Sequence, residues 1–366
     1  MKILIFNWRC PKHPEAGGAE KYLYEISKRL IKKGHKIVWF SASFNGAKEV
    51  DNLEGIEIIR MGGRYTVYAY AFIYFLKKFK KEKFDIIIDD INGVPFFSPF
   101  YVKIPKLAII HHLMKKQFFK ELPFFLAMIG YFIERSIPFF YSQTSFITVS
   151  NSSKEELSKI GIKNITIVPN GIDLTCCHSK LDKYNIPTVL FLGRLKKYKR
   201  IDLLLRAFTV VSEKIKNVNL WIAGDGDHRA ALEELATKLN LQNITFWGYV
   251  DEKEKKELLQ KAWVLVMPSL KEGWGITVIE ANICGTPCIA YDVPGLRDSI
   301  KDGETGILVR KDGNVKKLAE AIYEILTNNK LRKKLSQNAI EWAKQFSWDK
   351  SAEEFEKVLE RVVNNG

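Results

Sequence analysis

At 366 residues the chain is longer than one ordinary domain and suits two. Hydrophobic residues make up 46% and charged residues 27%, the balance of a globular protein able to bury substantial cores. The formal charge of +15 is uneven: residues 1–170 hold 26 Lys and Arg against 15 Asp and Glu, and the remainder 31 against 27. A basic first half suits an acidic partner surface, such as an anionic membrane, a phosphorylated acceptor or nucleic acid, although a solvated lysine-rich face gives the same count.

The five cysteines, Cys10, Cys176, Cys177, Cys284 and Cys288, are odd in number and form no paired C-x-x-C motif. That usage suits a cytoplasmic site and implies no zinc. The opening apolar run is too short for a signal peptide and reads as a buried strand over Lys2–Trp8. Further strand-like stretches follow at Lys36–Phe40, Ile56–Ile59, Phe84–Ile88, Lys106–Ile110, Ser145–Val149 and Ile165–Val168. Helical patterns separate several of them, notably Gly18–Lys33 and Asn151–Ile160.

The alternation breaks around Pro169-Asn170-Gly171-Ile172-Asp173. A linker over 171–186 there divides an N-terminal domain, 1–170, from a C-terminal one, 187–345, with a last helical segment at 346–366. The second series of strands runs Thr188–Leu192, Val218–Ala223, Asn243–Phe246, Trp263–Met267, Pro287–Tyr291 and Gly306–Val309. The pattern as a whole predicts an α/β protein with two Rossmann-like domains, each a parallel sheet covered by helices.

Two stretches of the first half are rich in aromatic residues: Tyr65–Leu76, followed by Lys77-Lys78-Phe79-Lys80-Lys81, and Gln117–Tyr141. Neither holds the roughly 18 uninterrupted apolar residues that span a bilayer. Taken singly, each is explained by helices packed on the N-terminal sheet. Taken with the charge asymmetry, they fit a surface that rests on anionic lipid.

In Phe191-Leu192-Gly193-Arg194 and on to Lys199, an apolar strand ends at Gly193 and a helix begins near Arg200. Ligands of open α/β sheets bind beyond the carboxyl ends of strands, which puts Arg194 and Lys199 in the right place to meet phosphate oxygens, although on spacing alone many loops carry two cations. In Pro268-Ser269-Leu270-Lys271-Glu272-Gly273-Trp274-Gly275-Ile276-Thr277-Val278-Ile279-Glu280, a strand stops at Pro268 and a glycine-containing loop enters a helix near Gly275. The free N–H groups of that helix start make an anion site. Glu280 lies one turn in, on the face of Ile276 and Thr277, and Glu272 lies in the loop. On spacing alone, two solvated glutamates flanking a tight turn fit as well.

The second stretch resembles the E-G-[FW]-G-x-x-x-x-E signature of glycosyltransferase family 4, and Gly193-Arg194-Leu195 with Lys199 is similar to that family's G-R-L-x-x-x-K segment. Arg200 stands where a glycine is common, a departure of little consequence on a helical backbone. Gly17-Gly18-Ala19-Glu20, Pro169-Asn170-Gly171-Ile172-Asp173, Ala223-Gly224-Asp225-Gly226 and Cys284-Gly285-Thr286-Pro287 also match, so the resemblance covers nearly the whole chain. It implies two domains of the GT-B type facing across a cleft, with the last helix packed back on the N-terminal domain.

The resemblance assigns roles. Arg194 and Lys199 would bind the donor diphosphate, Glu280 the ribose, and the backbone at Gly275, Ile276 and Thr277 the sugar and phosphate. Glu272 and His111 would lie at the transferred sugar, with His111 preferred to His112. Gly17 and Gly18 would close on the diphosphate, and Val250 would border the base through its backbone. The reaction implied is transfer of a sugar from a nucleoside-diphosphate sugar to a glycan, lipid-linked or phosphorylated acceptor, with retention at the anomeric carbon.

Charge on the leaving diphosphate is met by Arg194, Lys199 and the helix start, so no metal or other cofactor is expected. Asp225-Gly226-Asp227 mimics a D-x-D metal motif but reads as a loop after a strand, and Asp89-Asp90 reads in the same way. Competing readings are a sugar-nucleotide epimerase or sugar-phosphate synthase on the same fold, and an NAD-dependent oxidoreductase. The last lacks G-x-G-x-x-G after the first strand. No nucleic-acid motif is present, and no nucleic-acid partner is expected.

Overall fold

The computed structural model describes residues 1–115, 118–174, 183–310 and 313–365. Cys176, Cys177 and half of the segment 171–186 lie outside the described residues. The chain divides into two compact units, Met1–Gly171 with Trp348–Gly366, and Ile172–Ser347.

The first unit is built on β1 (Lys2–Phe6), β2 (Lys36–Ser41), β3 (Val50–Leu53), β4 (Ile56–Arg60), β5 (Ile86–Asp90), β6 (Lys106–Ile109), β7 (Ser145–Thr148) and β8 (Ile165–Ile167). Their order in the sheet is β3-β4-β2-β1-β5-β6-β7-β8, and every pair is parallel except β3 with β4. Ile3–Phe6 and all of β5 are buried, which is why these strands are nearly continuous apolar runs rather than alternating ones. β3 was not legible in the sequence. It is a half-polar edge strand, Val50-Asp51-Asn52-Leu53, joined to β4 by Glu54-Gly55 with φ of 51° and 90°, the two-residue turn whose twist suits a hairpin.

Helices α1 (Gly18–Lys32), α2 (Val67–Lys77), α3 (Phe118–Glu121), α4 (Phe124–Phe140) and α5 (Asn151–Lys159) cover this sheet. The side chain that caps α5 is Ser150, one residue before the start read from the sequence, and it accepts the Ser153 N–H at 3.1 Å. α2 buries Val67, Ala71 and Phe75, and α4 buries Ala127, Gly130, Glu134 and Ile137, so both aromatic stretches pack inward along one face. The last helix of the chain, α13 (Trp348–Asn364), lies on α1: the Tyr22 ring is 6.3 Å from both Trp348 and Phe355, and Arg29 pairs with Asp349 at 2.6 Å.

The second unit holds β9 (Thr188–Leu192), β10 (Asn219–Ala223), β11 (Ile244–Gly248), β12 (Val264–Met267), β13 (Cys288–Tyr291) and β14 (Gly306–Val309). The order is β11-β10-β9-β12-β13-β14, parallel throughout. Its helices are α6 (Ile201–Lys214), α7 (Arg229–Lys238), α8 (Glu252–Lys261), α9 (Ile276–Ile283), α10 (Leu296–Ser299), α11 (Val315–Thr327) and α12 (Asn329–Ala343). α6 buries Leu204, Ala207, Phe208 and Val211, a stripe at helical spacing.

Each sheet has one place where the strand order reverses. In the first, the chain builds outward from β1 and returns on its other side as β5. In the second, it builds outward from β9 and returns as β12. The crevice beyond the carboxyl ends of such a strand pair is where open α/β sheets receive ligands.

Candidate functional site

In the second unit, the reversal brings the loop after β9 beside the loop after β12. The Leu270 N–H donates to the Tyr198 carbonyl at 2.9 Å, tying the two together. The 193–195 segment rests on the neighbouring loop: Gly193 N–H donates to Ala223 O at 3.0 Å and Leu195 N–H to Asp225 O at 2.9 Å. A Cβ on Gly224 would stand 2.1 Å from Gly193 O, and one on Gly226 2.4 Å from Leu195 O. The glycines of Ala223-Gly224-Asp225-Gly226 thus serve close backbone contact. Asp227 of the D-x-D stretch pairs with Lys196 at 2.9 Å, and Asp225 accepts the Gly226 N–H at 2.7 Å. Among the described residues no group of three or more His, Cys, Asp or Glu is gathered as metal ligands.

Arg194 is exposed, whereas Lys199 is buried with its Nζ bonded to the Glu272 carboxylate. Burial alone would lower the Lys199 pKa, but Glu272 and then Tyr198 outweigh it, and the ammonium is held above its ordinary value despite opposition from Arg194. Glu272 is itself positioned from below: a Cβ on Gly295, just before α10, would lie 2.3 Å from the Glu272 carbonyl oxygen. The loop then turns at Gly275, φ 85°, where a Cβ would meet Leu296 at 2.9 Å, and α9 begins at Ile276. Its first-turn N–H groups, at Ile276 and Thr277, have no acceptor within the helix and sit at the positive end of its dipole. In the same loop the Ser269 hydroxyl and the Trp274 indole N–H are buried without a hydrogen-bond partner among the described residues.

Glu280 lies one turn into α9 and accepts Lys255 Nζ from α8 at 2.9 Å; Lys255 also reaches Glu252 at 2.7 Å. Lys255 was not anticipated, because Glu252-Lys253-Glu254-Lys255-Lys256 reads as a solvated helix face. Val250 is half-buried, two residues beyond the end of β11 and one residue before Asp251, the N-cap of α8. The reading of Arg200 needs correction. Its backbone is left-handed, φ 52° and ψ 40°, rather than helical, so the departure from glycine carries a conformational cost of roughly 1 kcal/mol. Its side chain pairs with Asp202 at 3.0 Å.

In the first unit, the carboxyl ends of β1 and β5 hold a buried polar cluster. Asn7 Nδ2 donates to Asp90 Oδ2 at 2.6 Å, and Asn92 Nδ2 stands 3.4 Å from Asn7, Glu20 and Asp90 oxygens. Arg9 Nε donates to Glu20 Oε1 at 2.9 Å, while Glu20 Oε2 accepts the Gly17 N–H at 2.7 Å. Gly17 is therefore the N-cap of α1 with its amide held by Glu20, and Gly18 opens the helix in an exposed position.

His111 follows β6 and is buried edge-on to Tyr22, ring centroids 5.2 Å apart. Its Nε2 lies 3.8 Å from Asp90 Oδ1, and neither atom has a hydrogen-bond partner among the described residues. Burial, then His112 and Arg9, push the imidazole pKa down to about 3, so the ring is neutral near pH 7. Burial, then Glu20, raise the Asp90 carboxyl well above the usual range against the pull of Arg9. Sequence reasoning missed Asn7, Arg9, Glu20 and Asn92 as site residues, and set Asp90 aside with the metal question.

Two family profiles divide the chain between them. One described as Glycosyltransferase Family 4 matches residues 16–175, and one described as Glycosyl transferases group 1 matches 179–342. The chain belongs to the family 4 glycosyltransferases. A glycosyltransferase of Methanocaldococcus jannaschii is 26% identical to it over 97% of this chain and 96% of its own. Among solved structures, sucrose-phosphate synthase from Thermosynechococcus elongatus superposes with a TM-score of 0.83, at 20% identity and with full coverage of both chains. HepE of Anabaena, solved with UDP-glucose, superposes with a TM-score of 0.77, at 16% identity over 99% of this chain and 100% of that one. The enzyme is a hexosyltransferase of the GT-B fold.

Proposed function

We propose that this enzyme moves a hexose from a nucleoside-diphosphate sugar to an acceptor hydroxyl with retention at the anomeric carbon and without a metal ion. The observation that carries the reading is the meeting of Arg194, Lys199, Glu272 and the start of α9 where the strand order of the second sheet reverses. As the bond from the anomeric carbon to the diphosphate oxygen breaks, negative charge collects on the diphosphate. A guanidinium, an ammonium and helix-end N–H groups stabilise that charge. The Lys199 ammonium has three donors, and its bond to Glu272 uses one.

Retention is read as front-face attack: the acceptor oxygen bonds to the anomeric carbon while its proton passes to the departing phosphate oxygen. Glu272 is assigned to the transferred sugar, Glu280 to the ribose, and the Val250 backbone to the base. The UDP-glucose bound by HepE supports a sugar nucleotide as the donor. The acceptor, a glycan or a lipid-linked or phosphorylated sugar, is assigned to the first unit.

The test is a panel of nucleoside-diphosphate sugars with candidate acceptors, read by nucleoside diphosphate release and by NMR of the product anomer. Acceptor-dependent release, an unchanged anomeric configuration and full activity in EDTA are expected. Inversion, or activity lost to EDTA and restored by magnesium, contradicts the mechanism. Conversion of the donor sugar without an acceptor makes the enzyme an epimerase.

A further inference from the structure

α4 is apolar on both sides. One face buries Ala127, Gly130 and Ile137, with Gly130 leaving room for the Phe118 ring, which a Cβ would approach to 2.9 Å. The buried Glu134 accepts the backbone N–H groups of Met114 and Lys115 and so is consumed in holding the preceding loop. The other face presents Phe125, Ile129, Phe132 and Phe139, spaced four, three and seven residues apart, with Phe125 82% and Phe139 79% exposed. A helix apolar on both faces is ordinarily buried on both, and this one is not.

The surface does not stop at α4. Phe139 packs on Phe140 at 5.2 Å and Phe140 on Phe100 at 4.9 Å. The next residue, Tyr101, meets Phe72 of α2 at 5.1 Å, and α2 adds the exposed Tyr70, Ile73 and Leu76. Aromatic stretches more than 40 residues apart in the sequence therefore join into one exposed apolar surface through the turn Ser98–Phe100. Its charge is one-sided. Residues 61–81 carry five Lys and Arg and no Asp or Glu, and Arg135 is exposed on α4. Lys77, Lys78, Lys80 and Lys81 are exposed at the end of α2, and Lys103 is exposed beside Tyr101.

We propose that this face docks on an anionic lipid bilayer, lying in the interface with the aromatic side chains of α4 and α2 inserted and the lysines on the headgroups. Among the described residues no helix is long and apolar enough to cross a membrane, so the contact is interfacial. Charge selects this occupant over a second copy of the chain. Two lysine-rimmed faces repel each other, whereas each lysine near an anionic leaflet strengthens partitioning about fivefold. The proposal stands apart from the donor site, since every residue in it belongs to the first unit.

Flotation with vesicles of phosphatidylcholine, alone or mixed with phosphatidylglycerol, tests it. The protein is expected to float with the mixed vesicles, to be released as salt rises, and to stay in the dense fraction with phosphatidylcholine alone. The triple variant Phe125→Ser, Phe132→Ser, Phe139→Ser, altered only at exposed positions, should lose at least about tenfold in partitioning while keeping its melting temperature and nucleoside diphosphate binding. Lys77→Glu, Lys80→Glu, Lys81→Glu should lose more than about tenfold. Wild-type protein left in the dense fraction with both vesicle types overturns the proposal, as does equal flotation of the phenylalanine variant. A wild-type dimer that the phenylalanine variant converts to monomer assigns the face to a second copy and also overturns it. Nucleoside diphosphate binding, measured in parallel, fails only if the donor reading fails.

Discussion

Beyond β9 and β12, the Lys199 ammonium is bonded to Glu272, with the positive charge of Arg194 close enough to be felt at Lys199. Beyond β1 and β5, the Asn7 and Asn92 amides gather about the Asp90 carboxyl while Arg9 is paired with Glu20, and a neutral histidine stands alongside. The same reversal of strand order thus supports opposite electrostatics. The first arrangement suits a ligand that brings its own negative charge, and in it the Lys199 ammonium is stabilised although buried. The second suits hydroxyl groups, and in it burial keeps His111 neutral and raises the Asp90 carboxyl. Placement in an α/β sheet decides where a ligand goes, and the side chains decide which chemistry each crevice suits.

The contrast is broken most severely by Lys199→Ala, which removes a buried cation and leaves Glu272 without its partner. Transfer, measured as kcat/KM, should fall about a hundred- to a thousandfold. A loss under tenfold would remove Lys199 from the charge-stabilising set. Next in size, Gly226→Ala places a methyl group against the Leu195 backbone and should cost roughly 1–3 kcal/mol in denaturant unfolding, with weaker nucleoside diphosphate binding. Retained stability would mean that the 193–195 loop does not lean on this glycine.

His111→Gln sharpens the comparison from the other side. In the unfolded chain His111 gains a proton near pH 6.5, and in the folded protein only near pH 3. Its contribution to stability is therefore complete above pH 6.5 and is lost as pH falls from 6.5 towards 3. In that window the variant should gain on the wild type by up to about 1.4 kcal/mol per pH unit. The raised Asp90 carboxyl works in the opposite direction but is present in both proteins. Parallel stability curves between pH 4.5 and 6.5 would show that the ring titrates normally. Smallest is Arg200→Gly, which relieves a left-handed backbone at the loss of the Asp202 pair and should raise stability by up to about 1 kcal/mol.

The two regions also differ in how far they could be read in advance. Arg194 and Lys199 share one loop, and Glu272, Gly275 and Glu280 share another, so short motifs carry the charged residues and their support together. The alternating pattern likewise gave both parallel sheets, because strands buried on both faces leave unbroken apolar runs. The cluster in the first unit draws on Asn7, Arg9, Glu20, Asp90, Asn92 and His111, from three strand ends and a helix start, and no local spacing marks it. Single polar residues after an apolar strand carry little signal until the strand order is known. The Lys255–Glu280 pair was hidden for the same reason, since it joins α8 to α9. Arg200 was misjudged because one dihedral angle, not composition, makes that position suit glycine.

Titration calorimetry of uridine, guanosine and adenosine diphosphates against wild-type protein and Arg194→Ala measures the central claim most directly. At least one diphosphate should bind the wild type and bind the variant tenfold or more weakly, with its nucleoside monophosphate binding both about equally. Equal affinity of wild type and variant for every diphosphate would contradict the account.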